Sequence, residues 1–133
     1  MHRPTEGETH AFERTFTTEA VERFGEVSRD EQERHTEPDD DRLLVHGLLT
    51  APLPTKIGGD LEVLATSMTF EFVRPVYTGE RIRCKWIFDS VDERDDRYEV
   101  AVEVVGENER VETAQTGAIE GLIWKVPPAE RPV

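Results

Sequence analysis

The run Leu43–Ile57, LLVHGLLTAPLPTKI, constrains this chain most. It is the only long, nearly uncharged apolar stretch ahead of a strand-like second half, and its single charge, Lys56, lies near its end. A helix that is apolar all round must be buried all round. The strand-like half supplies the surface to bury it. Pro52 and Pro54 each remove an amide donor and disfavour helical geometry at the preceding residue. The helix is therefore expected to kink or stop near Ala51. Gly58-Gly59-Asp60 reads as the turn that follows it.

The remaining elements fall around this run. His10–Thr17 alternates in part and predicts a first strand. Thr17 or Thr18 then caps a short helix with Glu19 in its first turn, ending around Ser28. Ala20, Val21, Phe24 and Val27 give it one apolar face. Ser28–Arg42, SRDEQERHTEPDDDR, reads as a polar loop. Downstream, Leu61–Val73 alternates with Leu64, Met68, Phe70 and Phe72 on one parity. In Arg81–Phe88, Ile82, Cys84, Trp86 and Phe88 face one way and Arg81, Arg83 and Lys85 the other. Tyr98, Val100, Val102 and Val104 continue the pattern after a charged connection at Asp92–Arg97. Val111–Trp124 is a last strand, with Gly117 and Gly121 suggesting bulges or bends. Short connections imply antiparallel pairing. The chain thus predicts an α+β domain over 10–126, one central helix wrapped by a curved antiparallel sheet, with loose tails at 1–9 and 127–133.

The charge balance narrows the partners. Asp and Glu number 29 against 16 Lys and Arg, a net charge of −13. Such a surface repels nucleic acid and anionic membranes. Acid spread over every element, with Lys only at 56, 85 and 125, resembles proteins of salt-loving organisms; an ordinary acidic protein is the alternative. Cys84 is the only cysteine, so neither an internal disulfide nor a thiolate metal cluster is expected. No apolar signal core or membrane-length run is present, and a cytoplasmic location is expected.

Asp30 and His35 stand in the polar loop just ahead of the apolar run. On one helix, five residues apart, they would not share a face; in a turn they can converge. An Asp beside a His can orient the imidazole or hold one water with it. His46-Gly47 opens the helix, where Gly admits a close ligand and exposed amides suit a developing oxyanion. His46 itself reads as a hydrogen-bonded structural histidine. His35, His46 and the Asp cluster make a poor metal set, since no close His spacing recurs.

These motifs resemble the MaoC-like, (R)-specific enoyl-CoA hydratases of the hot-dog fold. That pattern is a GD-x-N-P-x-H loop, an HG-M-L helix start and an F-x-x-P-V-x-x-G-[DE] strand and turn. Here the three read Arg29–His35, Val45–Leu49 and Phe70–Glu80. Arg29 stands where the pattern has Gly, and Gln32-Glu33 where it has Asn-Pro. The resemblance covers roughly Phe16 to Trp124. It implies a hydratase or dehydratase acting on a 2-enoyl or 3-hydroxyacyl thioester such as acyl-CoA. Asp30 and His35 would be the dyad and Gly47 the oxyanion donor. Thr55, about two turns beyond Gly47, would present a hydroxyl to substrate. The resemblance implies no metal or other cofactor and a homodimer formed by sheet pairing. A non-catalytic binding or structural subunit is the competing expectation. A thioesterase is weaker, because Leu43–Ile57 carries no carboxylate.

Overall fold

The computed structural model describes residues 1–132. The chain runs β1 (Thr9–Thr15), α1 (Thr18–Ser28), α2 (Glu33–Thr36), α3 (Gly47–Thr50), α4 (Pro52–Asp60), β2 (Leu64–Phe72), β3 (Arg81–Glu93), β4 (Arg97–Glu107) and β5 (Thr113–Trp124). A short 3-10 turn, Pro128–Glu130, follows. The five strands form one antiparallel sheet in the order β1-β3-β4-β5-β2. No helix among the described residues is long and apolar enough to cross a membrane.

The alternation predicted for β3 and β4 is the alternation observed. Ile82, Cys84, Trp86 and Phe88 are buried, as are Tyr98, Val100, Val102 and Val104. Fully burying a large apolar side chain contributes roughly 1.5–3 kcal/mol, so these two rows carry much of the core. Burial also pushes the Cys84 thiol up to about 12, which leaves it a neutral packing group. Thr17 caps α1, its hydroxyl accepting from the Ala20 amide at 3.1 Å. Val21 is buried, but Val27, expected on the same face, is 83% exposed.

The apolar run is not helical from its start. Leu43–His46 is extended: Leu44 bridges Tyr77, and the Val45 amide donates to the Val76 carbonyl at 2.7 Å. Helix begins at Gly47 and breaks into α3 and α4 at Ala51, whose φ of −61° and ψ of −32° stay helical. Pro52 is tolerated because it opens α4, where its missing amide would lack a partner anyway. Gly58-Gly59-Asp60, expected to turn, instead completes α4. A Cβ on Gly58 would lie 3.1 Å from the Trp86 ring, so this glycine serves a close helix–sheet approach.

Two further expectations change. β2 alternates in sequence, yet none of its residues is buried. It is an edge strand paired only with β5, so neither face is covered from both sides. The N-terminal residues, expected to be loose, are tied to the sheet. Pro4 is buried, the Gly7 amide donates to Phe88 O at 2.8 Å, and the Phe88 amide donates to Glu8 O at 3.0 Å. At the other end Arg131 Nε donates to Val126 O at 3.1 Å, and Val133 lies outside the described residues.

The β2–β5 register slips between Ala65 and Ser67, opposite Gly121. A Cβ there would meet the Leu64 carbonyl oxygen at 2.5 Å. Because that neighbour is backbone, Gly121→Ala is expected to destabilise by about 1–3 kcal/mol, read as a lower midpoint in thermal unfolding.

Candidate active site

The site is assembled by the end of α1, the turn α2 and the extended strand ahead of α3. α1 closes on Arg29, which adopts left-handed geometry, φ 65° and ψ 11°. This is the position where the resembling pattern has Gly, and a side chain there costs about 1–2 kcal/mol. The reversal carries Asp30 back towards the helix, where its amide donates to Ser28 Oγ at 3.2 Å. Gln32, in place of the pattern's Asn, donates from Nε2 to Asp30 Oδ1 at 3.0 Å.

α2 is a single turn that delivers His35 into the interior at 7% exposure. His35 Nδ1 donates to the Leu44 carbonyl at 2.6 Å. That bond places the ring proton on Nδ1 and leaves the Nε2 lone pair free. Asp30 Oδ2 lies 3.8 Å from this nitrogen. The loop thus brings the two predicted residues together without a direct hydrogen bond. A water set off the line between them can reach both.

His46 behaves as the structural histidine the sequence suggests. Its Nε2 donates to the Asp30 carbonyl at 2.7 Å, and its ring stacks on His35 with centroids 3.7 Å apart and planes 15° apart. Asp30, His35 and His46 all have donor atoms within 4.8 Å of one another. They do not fit a metal ion, because the lone pairs of two stacked imidazoles run parallel rather than converging at the required bond length of about 2.0–2.1 Å.

A cleft of about 360 Å³ opens beside His35, with Gly47, Thr50, Phe72, Arg34 and Arg74 in its wall. Asp30 is not among its lining residues. A Cβ on Gly47 would sit 3.1 Å from the Phe72 ring, so glycine lets the end of β2 lie on the helix start. Among the described residues the Gly47 amide has no hydrogen-bond partner.

Thr55 is not brought to this cleft. Its hydroxyl donates to Pro52 O at 2.8 Å, and it borders another depression beside Phe12 and Lys56. Eight residues past Gly47 turn a helix about 800°, some 80° beyond two full turns. Thr50 lies in the cleft instead. Its Oγ1 donates to Gly47 O at 2.5 Å and accepts from Gln115 Nε2 at 2.8 Å, with both side chains buried. Sequence reasoning missed Gln32, Thr50 and Gln115. Gln115, a polar residue on a strand otherwise apolar inwards, is the one signal that could have pointed there.

Thr50→Val would strand the buried Gln115 amide, at a cost of about 1–3 kcal/mol. Adding Gln115→Leu is expected to recover much of that loss, since removing both partners leaves no orphan. Chemical denaturation of the two single variants and the double variant measures the coupling.

Searched by sequence, the chain matches no protein-family model and no curated protein. Solved structures do resemble it. The (R)-hydratase PhaJ1 from Pseudomonas aeruginosa superposes with TM-score 0.78 at 17% identity, over 98% of this chain and 91% of that one. The MaoC-like dehydratase from Rhodospirillum rubrum gives 0.71 at 16% identity, over 93% and 95%. A chain of the HadBC 3R-hydroxyacyl-ACP dehydratase complex from Mycobacterium tuberculosis gives 0.69 at 14%, over 92% and 99%. With its central helical segment against a single five-stranded antiparallel sheet, the chain has the hot-dog fold, and its structural neighbours include (R)-hydratases and a MaoC-like dehydratase.

Proposed function

We propose that this protein adds water to a 2-enoyl thioester, or removes it from a 3-hydroxyacyl thioester. The observation that carries this reading is the free Nε2 of His35 facing Asp30 Oδ2 at 3.8 Å beside a cleft that also contains Gly47. Hydration needs a base for water, a proton for the substrate α-carbon and a donor for the enolate oxygen. A water held by Asp30 and His35 gives a proton to His35 Nε2 as its oxygen attacks the β-carbon. The Gly47 amide donates to the thioester oxygen as it becomes an enolate. His35 then returns the proton to the α-carbon, and the water has been added whole. Dehydration is the reverse.

No metal or redox group is called on in this scheme. Arg34 and Arg74 in the cleft wall suit a phosphate-bearing acyl carrier, in a protein otherwise rich in acid. A second copy completes the cleft. Leu64, Phe72 and Val73 on the edge strand and beyond it are more than half exposed, and a further copy of β2 would cover them. One of the structural neighbours is itself named as a dehydratase complex.

A second reading, a non-catalytic partner of an active homologue, is favoured by one observation. Gln32 draws Asp30 Oδ1 to itself, and Asp30 makes no direct bond to His35.

Loss of enoyl absorbance with crotonyl-CoA and a longer 2-enoyl-CoA tests the proposal. Molar salt keeps the acidic chain folded by screening self-repulsion. Wild type is expected to turn over, and Asp30→Asn and His35→Ala each to lose on the order of 10²–10⁴-fold in rate. A folded wild type inactive on both substrates would favour the non-catalytic reading. Phe72→Asp is expected to shift the assembly from dimer to monomer in light scattering; an unchanged mass would place the interface elsewhere.

A further inference from the structure

Outside the residues that line the cleft, the N-terminal segment is bonded to Phe88 of β3 and places two imidazoles on one carboxylate. His2 Nε2 and His10 Nε2 each lie 2.6 Å from the same oxygen, Glu8 Oε2. The three donor atoms are within 4.8 Å of one another and all three residues are half-buried. We propose that His2, Glu8 and His10 bind a divalent transition-metal ion, with Zn²⁺ the ion their donors suit best. The site shares no residue with Asp30 and His35 and does not rest on the hydratase reading.

The geometry separates this cluster from the stacked pair His35 and His46. The His2 and His10 rings meet edge to face, 78° apart with centroids 5.9 Å apart. Their Nε2 atoms both approach the same carboxylate oxygen, Glu8 Oε2, instead of running parallel. Two imidazoles and a carboxylate form a mixed nitrogen and oxygen set that zinc accepts, with one position left for water. Zinc at about 2.1 Å from each donor, in tetrahedral geometry, needs donors about 3.4 Å apart. The present 2.6 Å contacts must therefore open by about 0.8 Å on metal binding.

The frame that holds the donors is already built. Gly7 and Glu8 are bonded to both backbone groups of Phe88, at 2.8 and 3.0 Å. His10 pairs in register with Trp86. Glu8 Oε1 accepts from the Thr5 amide at 3.1 Å, which aims Oε2 at the two rings. Both rings lie against Phe88, with centroids 6.2 and 6.3 Å from its own. Burial works to raise the Glu8 carboxyl, but the hydrogen bonds from His10 and His2 outweigh it and hold the group below its ordinary value. A bound ion would replace two ring hydrogen bonds and pin residues 2–8 over the core.

Isothermal titration of ZnCl₂ into tag-free protein at pH 7.5 in molar salt tests the site. The comparison uses wild type, Glu8→Gln, His10→Ala and His35→Ala, each checked for folding by circular dichroism. Wild type is expected to take one equivalent. Glu8→Gln and His10→Ala should each weaken binding by more than about tenfold, and His35→Ala should leave it unchanged. Imidazole nitrogen resonances of His2 and His10 should shift on titration. No binding by wild type at millimolar zinc would overturn the proposal. So would unchanged affinity in either Glu8→Gln or His10→Ala, which points to chelation by the amino terminus and His2 alone. Loss in His35→Ala would move the ion to the other histidine cluster.

Discussion

The candidate site depends on the path of the backbone through Leu43–Val45. These residues are extended, and hydrogen bonds sew them to both neighbours. The Leu44 amide donates to Arg34 O at 3.0 Å, the Val45 amide to Val76 O at 2.7 Å and the Thr78 amide to Leu43 O at 3.0 Å. The Leu44 carbonyl is then left to accept from His35 and set its tautomer. Three residues beyond Leu44, the same segment delivers Gly47 to the helix start. One short strand thereby fixes His35, the Gly47 amide and the cleft between them. Buried Leu43 and Val45 anchor it with apolar contacts, so core packing and site geometry are the same interaction.

A second dependence runs through the edge strand. The end of β2 places Phe72 on Gly47, and the segment after it supplies Arg74 and Val76 to the cleft. β2 is the least covered strand of the sheet, with apolar side chains open on an unpaired edge. The wall of the cleft is therefore its least supported part in a single chain. A protein that closes this edge with a second copy ties assembly to the shape of its site.

The legible parts of the fold share one property. β3 as far as Phe88, and β4, have one face buried, so their side-chain parity mirrors the core, and alternation reports it faithfully. The Thr17 cap and the end of α1 near Ser28 are set by local hydrogen bonds and could be read directly. β2 misled because period-two apolar spacing reports a strand, not which side of it is covered. Gly58-Gly59 misled because glycine marks both turns and close packing; only the Trp86 ring beneath Gly58 distinguishes them. The N-terminal residues looked loose because their ties are backbone bonds to Phe88, which no local pattern encodes.

For the site, the sequence by itself determined the residue types and their order: an Asp and a His in one loop, then His-Gly opening an apolar segment. Chain proximity allowed those residues to meet without fixing that they do. Only the tertiary structure decided that Asp30 and His35 stand 3.8 Å apart unbonded, with Gln32 on one carboxylate oxygen. It also decided that Thr50, paired with Gln115 across 65 residues, and not Thr55, faces the cleft. The reason is physical. Helical phase, turn handedness and a partner strand set where a side chain points, and each depends on contacts between segments distant in the chain.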